Sequence, residues 1–140
     1  PCSTFKRRNI RVKAYHIYTS GEAPQLVNLP KGDPAEGEIR LRITACGLNF
    51  ADLLMIKGKY QDTPQAPFTL GMEVAGEVIA LGPDTNGPPV GCRVAVFGGQ
   101  GGLADAGVFP AERASLPPLP HQSIQTPFQT PAGQYAQSSV

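Results

Sequence analysis

One hundred and forty residues are enough for one domain and short for two. Hydrophobic residues at 41% can build a core, while 16 glycines and 15 prolines, about double the ordinary share, exclude a coiled coil or helix bundle and favour a turn-rich β fold. The net charge of +1 hides an asymmetry: Lys6, Arg7, Arg8, Arg11 and Lys13 open the chain without an acid, so the remainder is net acidic, which argues against a nucleic-acid-binding body.

Residues 1–11 read as a basic disordered arm or tag, with a transit-peptide remnant as the alternative. They lack the apolar segment of a secretory signal, and no apolar run in the chain is long enough for a transmembrane helix. Segments 11–18 and 25–29 are rich in β formers. Over 37–45, Ile39, Leu41, Ile43 and Ala45 alternate with Glu38, Arg40, Arg42 and Thr44, which predicts a strand with one buried face. A helix is expected over 50–57. Asn49 can cap it, Asp52 sits in its first turn, Leu53, Leu54 and Ile56 supply apolar contacts, and Gly58 ends it. Segments 73–81 and 90–97 are two further strands bounded by Gly or Pro clusters. After Arg113 no charged residue follows, and residues 117–140 read as an extended or disordered Pro/Gln-rich tail.

Most of the usual chemical signals are weak. Cys2, Cys46 and Cys92 are odd in number and show no CxxC spacing, which argues against a disulfide framework or a four-cysteine zinc site. Gly99-Gln100-Gly101-Gly102-Leu103-Ala104 fits a dinucleotide fingerprint in letters. Gly107 and Pro110 interrupt the helix that must follow, and no acid lies near position 120, so a surface β-loop is the better reading. His16 falls in a predicted strand and His121 in the tail, with no nucleophile setting near either.

What remains is Ala45-Cys46-Gly47-Leu48-Asn49-Phe50-Ala51-Asp52, then Tyr60, then Gly71-Met72-Glu73-Val74-Ala75-Gly76-Glu77-Val78, then Val90-Gly91-Cys92-Arg93-Val94. In these residues the sequence resembles the catalytic domain of the medium-chain dehydrogenase/reductase superfamily, in its zinc-free quinone oxidoreductase branch, which includes zeta-crystallin. The likeness spans about residues 12–116. It implies a mainly β (α+β) fold, a GroES-like, partly open β-barrel with a short helix. The family normally continues into a Rossmann domain that binds NADPH.

The resemblance also assigns roles. Zinc alcohol dehydrogenases place a cysteine ligand where this chain has Asn49 and a histidine ligand where it has Met72, so no metal is expected. The family places Asn49 and Tyr60 beside the nicotinamide as catalytic candidates, and Asn49 and Phe50 as cofactor contacts. A carboxamide N–H at Asn49 can stabilise a carbonyl oxygen as hydride arrives. The Tyr60 ring suits a planar quinone or enone. Their other readings are a plain helix cap and ordinary packing. Asp52 reads as a helix-start acid that orients its neighbours. Glu73, on an apolar stretch, needs an internal partner such as an arginine and reads as a structural carboxylate. Gly71 and Gly76 would serve turns around a strand start.

There are departures from the family pattern. Cys92 replaces an aspartate, Asp105-Ala106 replaces Glu-Tyr, and from Leu116 the chain leaves the family pattern. Two function classes follow as expectations. One is the catalytic-domain portion of an NADPH-dependent quinone or enone reductase, inactive by itself. The other is a noncatalytic shortened, spliced or frameshifted product acting as an interaction module. An apolar cleft face near Phe50, Leu54, Tyr60 and Phe68 would favour self-association or pairing with a full-length relative. The expected compartment is the cytoplasm, or the mitochondrion if the basic start is a transit remnant.

Overall fold

The computed structural model describes residues 11–117. The basic arm before Arg11, Cys2, His121 and the tail beyond Pro117 lie outside the described residues. Eight strands and one α-helix follow in order: β1 (Arg11–Ile17), β2 (Gln25–Pro30), β3 (Glu38–Gly47), α1 (Phe50–Ile56), β4 (Phe68–Thr69), β5 (Glu73–Leu81), β6 (Arg93–Phe97), β7 (Ala106–Pro110) and β8 (Ala114–Ser115). They form two sheets, ordered β2-β1-β4 and β7-β3-β5-β6-β8, with every pairing antiparallel. The sheets do not close into a continuous cylinder, which is the partly open barrel that the resemblance implies.

The alternation in β5 and β6 does the principal packing. Val74, Val78, Val94 and Val96 face inward and join Ile39, Leu41, Phe109 and Ala111 in the larger core cluster. Register shifts between Arg40 and Leu41 and between Ile43 and Ala45 bend the central β3–β5 pair, so the sheet curls over this core. Gly76 sits at that bend inside β5, not at a turn. A Cβ there would collide with the Arg42 carbonyl, so its service is a close strand approach.

Segment 103–105 ties the two sheets together. Tyr15 N–H donates to the Leu103 carbonyl at 2.9 Å, Asp105 N–H to the Lys13 carbonyl at 3.0 Å, and Ile43 N–H to the Asp105 carbonyl at 2.9 Å. A second cluster of Ile17, Met55, Phe68, Leu70 and Met72 lies under α1.

Several sequence expectations need correction. Arg40 was expected on the solvent face of its strand, yet it is 5% exposed. Its guanidinium donates to the Gly32 carbonyl and, at 2.8 Å, to Asp33 Oδ1, so the loop after β2 covers it. Residues 90–92 form a turn at Gly91 (φ +92°), and the strand begins at Arg93. Leu53 points outward at 55% exposure; α1 instead buries Asp52 and Met55. Phe68, expected on an open cleft, is buried in the second cluster. Strands β4, β7 and β8 were not anticipated.

Candidate functional site

Asn49 leaves the turn after β3 and starts α1 with extended backbone, φ −115° and ψ 156°. Its N–H donates to Asp52 Oδ2 at 2.8 Å, and the Asp52 N–H returns to the Asn49 carbonyl at 3.0 Å. The second Asp52 oxygen accepts from the Gly71 N–H at 3.2 Å. Asp52 is buried, so these two bonds offset the desolvation of its carboxylate. Together they pin the start of α1 to the entry of β5.

Gly71 allows this approach. Its φ is +99°, and a Cβ there would stand 2.5 Å from the Leu103 nitrogen and 2.8 Å from Cys46 Sγ. Cys46 is half-buried at the same junction. Burial first, then the negative charges of Asp52 and Glu73, push its thiol pKa up, which favours the neutral thiol. His16, by contrast, lies 3.0 Å through Nδ1 from Thr69 Oγ1, and burial lowers its pKa.

The candidate residues do not share one hollow. Asn49, Phe50 and Asp52 line an apolar hollow of about 650 Å³, walled also by Tyr15, Leu53 and Leu103. Phe50 stands on its rim at 73% exposure. Tyr60 lines a different groove of about 490 Å³ with Met55, Asp62, Met72, Phe97, Gln100 and Arg113. α1 stands between them, about 10 Å long at 1.5 Å per residue.

Glu73 is a correction. It was expected to need an internal partner, but it is exposed, because the alternation of β5 turns Val74, Gly76 and Val78 inward. Among the described residues its carboxylate makes no hydrogen bond or ion pair. It lines a shallow hollow of about 450 Å³ that shares Phe97 and Arg113 with the Tyr60 groove. Phe97 and Arg113 were missed by sequence reasoning. Phe97 was legible as the outward aromatic that ends the alternation of β6; Arg113, in the turn Ala111–Arg113, carries no pattern.

Two groups common among related folds can be tested against these residues. Among the described residues no three His, Cys, Asp or Glu side chains gather as a metal set. Met72 is 5% exposed and packs in the second cluster, so its thioether serves the core. The glycine loop cradles no phosphate in this geometry. The amides of Gly98 and Gly99 donate to the Met72 carbonyl, that of Gly101 to Thr69, and that of Gly102 to Gly71. β7 follows that loop where a dinucleotide site needs a helix. Among the described residues no helix is long and apolar enough to cross a membrane.

The family model for the alcohol dehydrogenase GroES-like domain matches residues 35–120. A quinone oxidoreductase-like protein 2 homolog of Nematostella vectensis is 42% identical over 74 residues, covering 52% of this chain and 20% of the relative. The human synaptic vesicle membrane protein VAT-1 homolog is 41% identical over 85 residues, covering 61% and 22%. Among solved structures, the quinone oxidoreductase of Thermus thermophilus, determined also in complex with NADPH, is similar with a TM-score of 0.64 at 39% identity, covering 79% of this chain and 34% of that one. The chain spans about a fifth of the length of the curated relatives it matches.

Proposed function

The chain belongs to the alcohol dehydrogenase GroES-like domain family, in the quinone oxidoreductase branch of the medium-chain dehydrogenase/reductase superfamily, and on that premise we propose that it forms the acceptor-binding half of a zinc-independent, NADPH-dependent reductase of quinones or α,β-unsaturated carbonyls. The observation that carries this reading is the pinning of Asn49. The buried Asp52 carboxylate holds the Asn49 backbone at the head of α1, at the position where zinc enzymes of the superfamily carry a metal ligand.

When bound, NADPH would supply the hydride. Asn49 and Phe50 would hold its nicotinamide end, since a half-buried carboxamide and an exposed ring suit a planar amide-bearing heterocycle. The Asn49 carboxamide would donate to the acceptor oxygen as negative charge grows there. Tyr60 lines the separate groove across α1, so its phenol and ring would meet only the part of an acceptor that reaches past the helix. With Asn49 and a core-packed Met72, no metal is needed for this role. Positioning the nicotinamide is worth roughly 7–11 kcal/mol of barrier. The glycine loop spends its amides internally, so the 140-residue polypeptide is expected to bind acceptor without turning it over.

The test titrates neutral anthraquinone-2-carboxamide, which lacks the ring C–H that thiols attack, into the ¹⁵N-labelled chain. Amide shifts confined to residues 47–50, 60 and 97–100 are expected, with weakened binding in Asn49→Ala and Tyr60→Phe, less than stoichiometric zinc, and no saturable NADPH oxidation. Unshifted amides at these positions, or one zinc bound per chain, would overturn the proposal. A second reading, a noncatalytic interaction module, is supported by the exposed apolar face of Leu48, Phe50 and Leu53. Acceptor binding at Asn49 and Tyr60 counts against it.

A further inference from the structure

The Tyr60 groove has a built-in polarity that the acceptor reading leaves unused. Its floor is apolar, with Met55 and Met72 beneath and Phe97 on the wall. Phe97 is 53% exposed at the end of β6, so its ring offers a free face. Tyr60 and Arg113 both line the groove. The Arg113 guanidinium donates one N–H to the Gly98 carbonyl at 3.4 Å, which leaves four of its five donors. Among the described residues it has no carboxylate within ion-pair distance. Asp62 lines the same groove and Glu73 the adjoining hollow. Among the described residues Arg113 is the one cation lining either hollow, so a ligand's negative group has one favourable place there. A planar guanidinium matches a carboxylate by paired hydrogen bonds in a way that an ammonium does not.

We propose that this groove selects planar aromatic acceptors bearing an anionic substituent, the ring lying against Phe97 and the anion on Arg113. This rests on the acceptor reading above and deepens it: Arg113 is the specificity-determining residue, distant from Asn49. The selection is electrostatic, so it weakens with salt.

The test compares two probes of nearly equal shape, anthraquinone-2-carboxylate and anthraquinone-2-carboxamide, by calorimetry and amide-shift mapping on the 140-residue chain. The carboxylate is expected to bind about fivefold tighter at low salt, as an exposed charge pair allows. Its shifts should include Phe97–Gln100 and Arg113. Arg113→Gln should erase the preference by weakening the carboxylate more than the carboxamide, and Glu112→Gln, a charge change at an exposed neighbour outside the groove, should preserve it. Equal binding of the two probes, or a preference that survives Arg113→Gln, overturns the inference while the carboxamide result keeps the acceptor reading standing. Failure of both probes to bind overturns both.

Discussion

The two hydrophobic clusters of this domain are built on different principles. The larger one, under β3, β5, β6 and β7, is made by strand alternation, and its buried members are 6% exposed or less. Its largest member, Phe109, lies in a recess of glycines: a Cβ at Gly98 would come within 2.7 Å of the ring and one at Gly107 within 2.8 Å. The smaller cluster, under α1, depends on a polar fastening. Asp52 joins the helix to Gly71, and the outer face of the helix, with Leu48, Phe50 and Leu53, stays uncovered by the described residues. Asn49, Phe50 and Tyr60 stand on the second region, while Phe97 and Arg113 reach the Tyr60 groove from the first. One region supplies stability, and the other holds side chains in place at its surface.

That contrast can be broken in graded steps. Phe109→Ala removes the centre of the self-contained cluster and is expected to cost about 3–5 kcal/mol in urea unfolding. A loss near 1 kcal/mol would mean that the glycine recess collapses around the gap. Asp52→Ala should cost less, about 2–3 kcal/mol, since it removes two backbone-to-carboxylate bonds and the helix start. Its signature is local: hydrogen exchange should quicken over 49–56 and 70–72 before it does in β5. Uniform quickening would show the two regions to be one cooperative unit. The smallest stability effect is expected from Phe50→Ser with Leu53→Ser, within about 0.5 kcal/mol each. The same pair should reduce self-association in light scattering if the uncovered face is adhesive. Unchanged association would move the contact to the sheet edges.

Within the region built by alternation, β3 and β5 were the legible strands. Residues 73–81 were bounded correctly because Gly71 before them and Gly82-Pro83 after them punctuate the strand; inside it burial alternates over Val74, Gly76 and Val78. The helix was legible from Asn49, Asp52 and Gly58, which act locally. What stayed hidden depends on distant chain. Burial of Arg40 needs Gly32 and Asp33 to fold over β3, and nothing in the alternation of 37–45 announces it. β4 and β8 are two residues each, too short for any period to show. The sharing of one groove by Tyr60 and Arg113 depends on where β6 and the turn after β7 come to rest. Asn49 and Tyr60 line separate hollows around α1, a separation that residue spacing does not encode.

The clasp of residues 103–105 on β1 has a consequence in time. The Lys13 N–H reaches Asp105 Oδ2 at 3.3 Å across 92 positions of sequence. At synthesis rates of about 5–20 residues per second, β1 waits about 5–20 s before its clasp exists. β2 arrives early and pairs one edge, as the Arg11–Pro30 to His16–Gln25 register shows. The other edge pairs β4 at His16–Thr69 and Ile17–Phe68, but its Ala14 end stays bare until Ala104 is made. The contact that joins the sheets therefore comes late, after β2 to β6 and just before β7 and β8, and the nascent domain is vulnerable to wrong pairing until it forms.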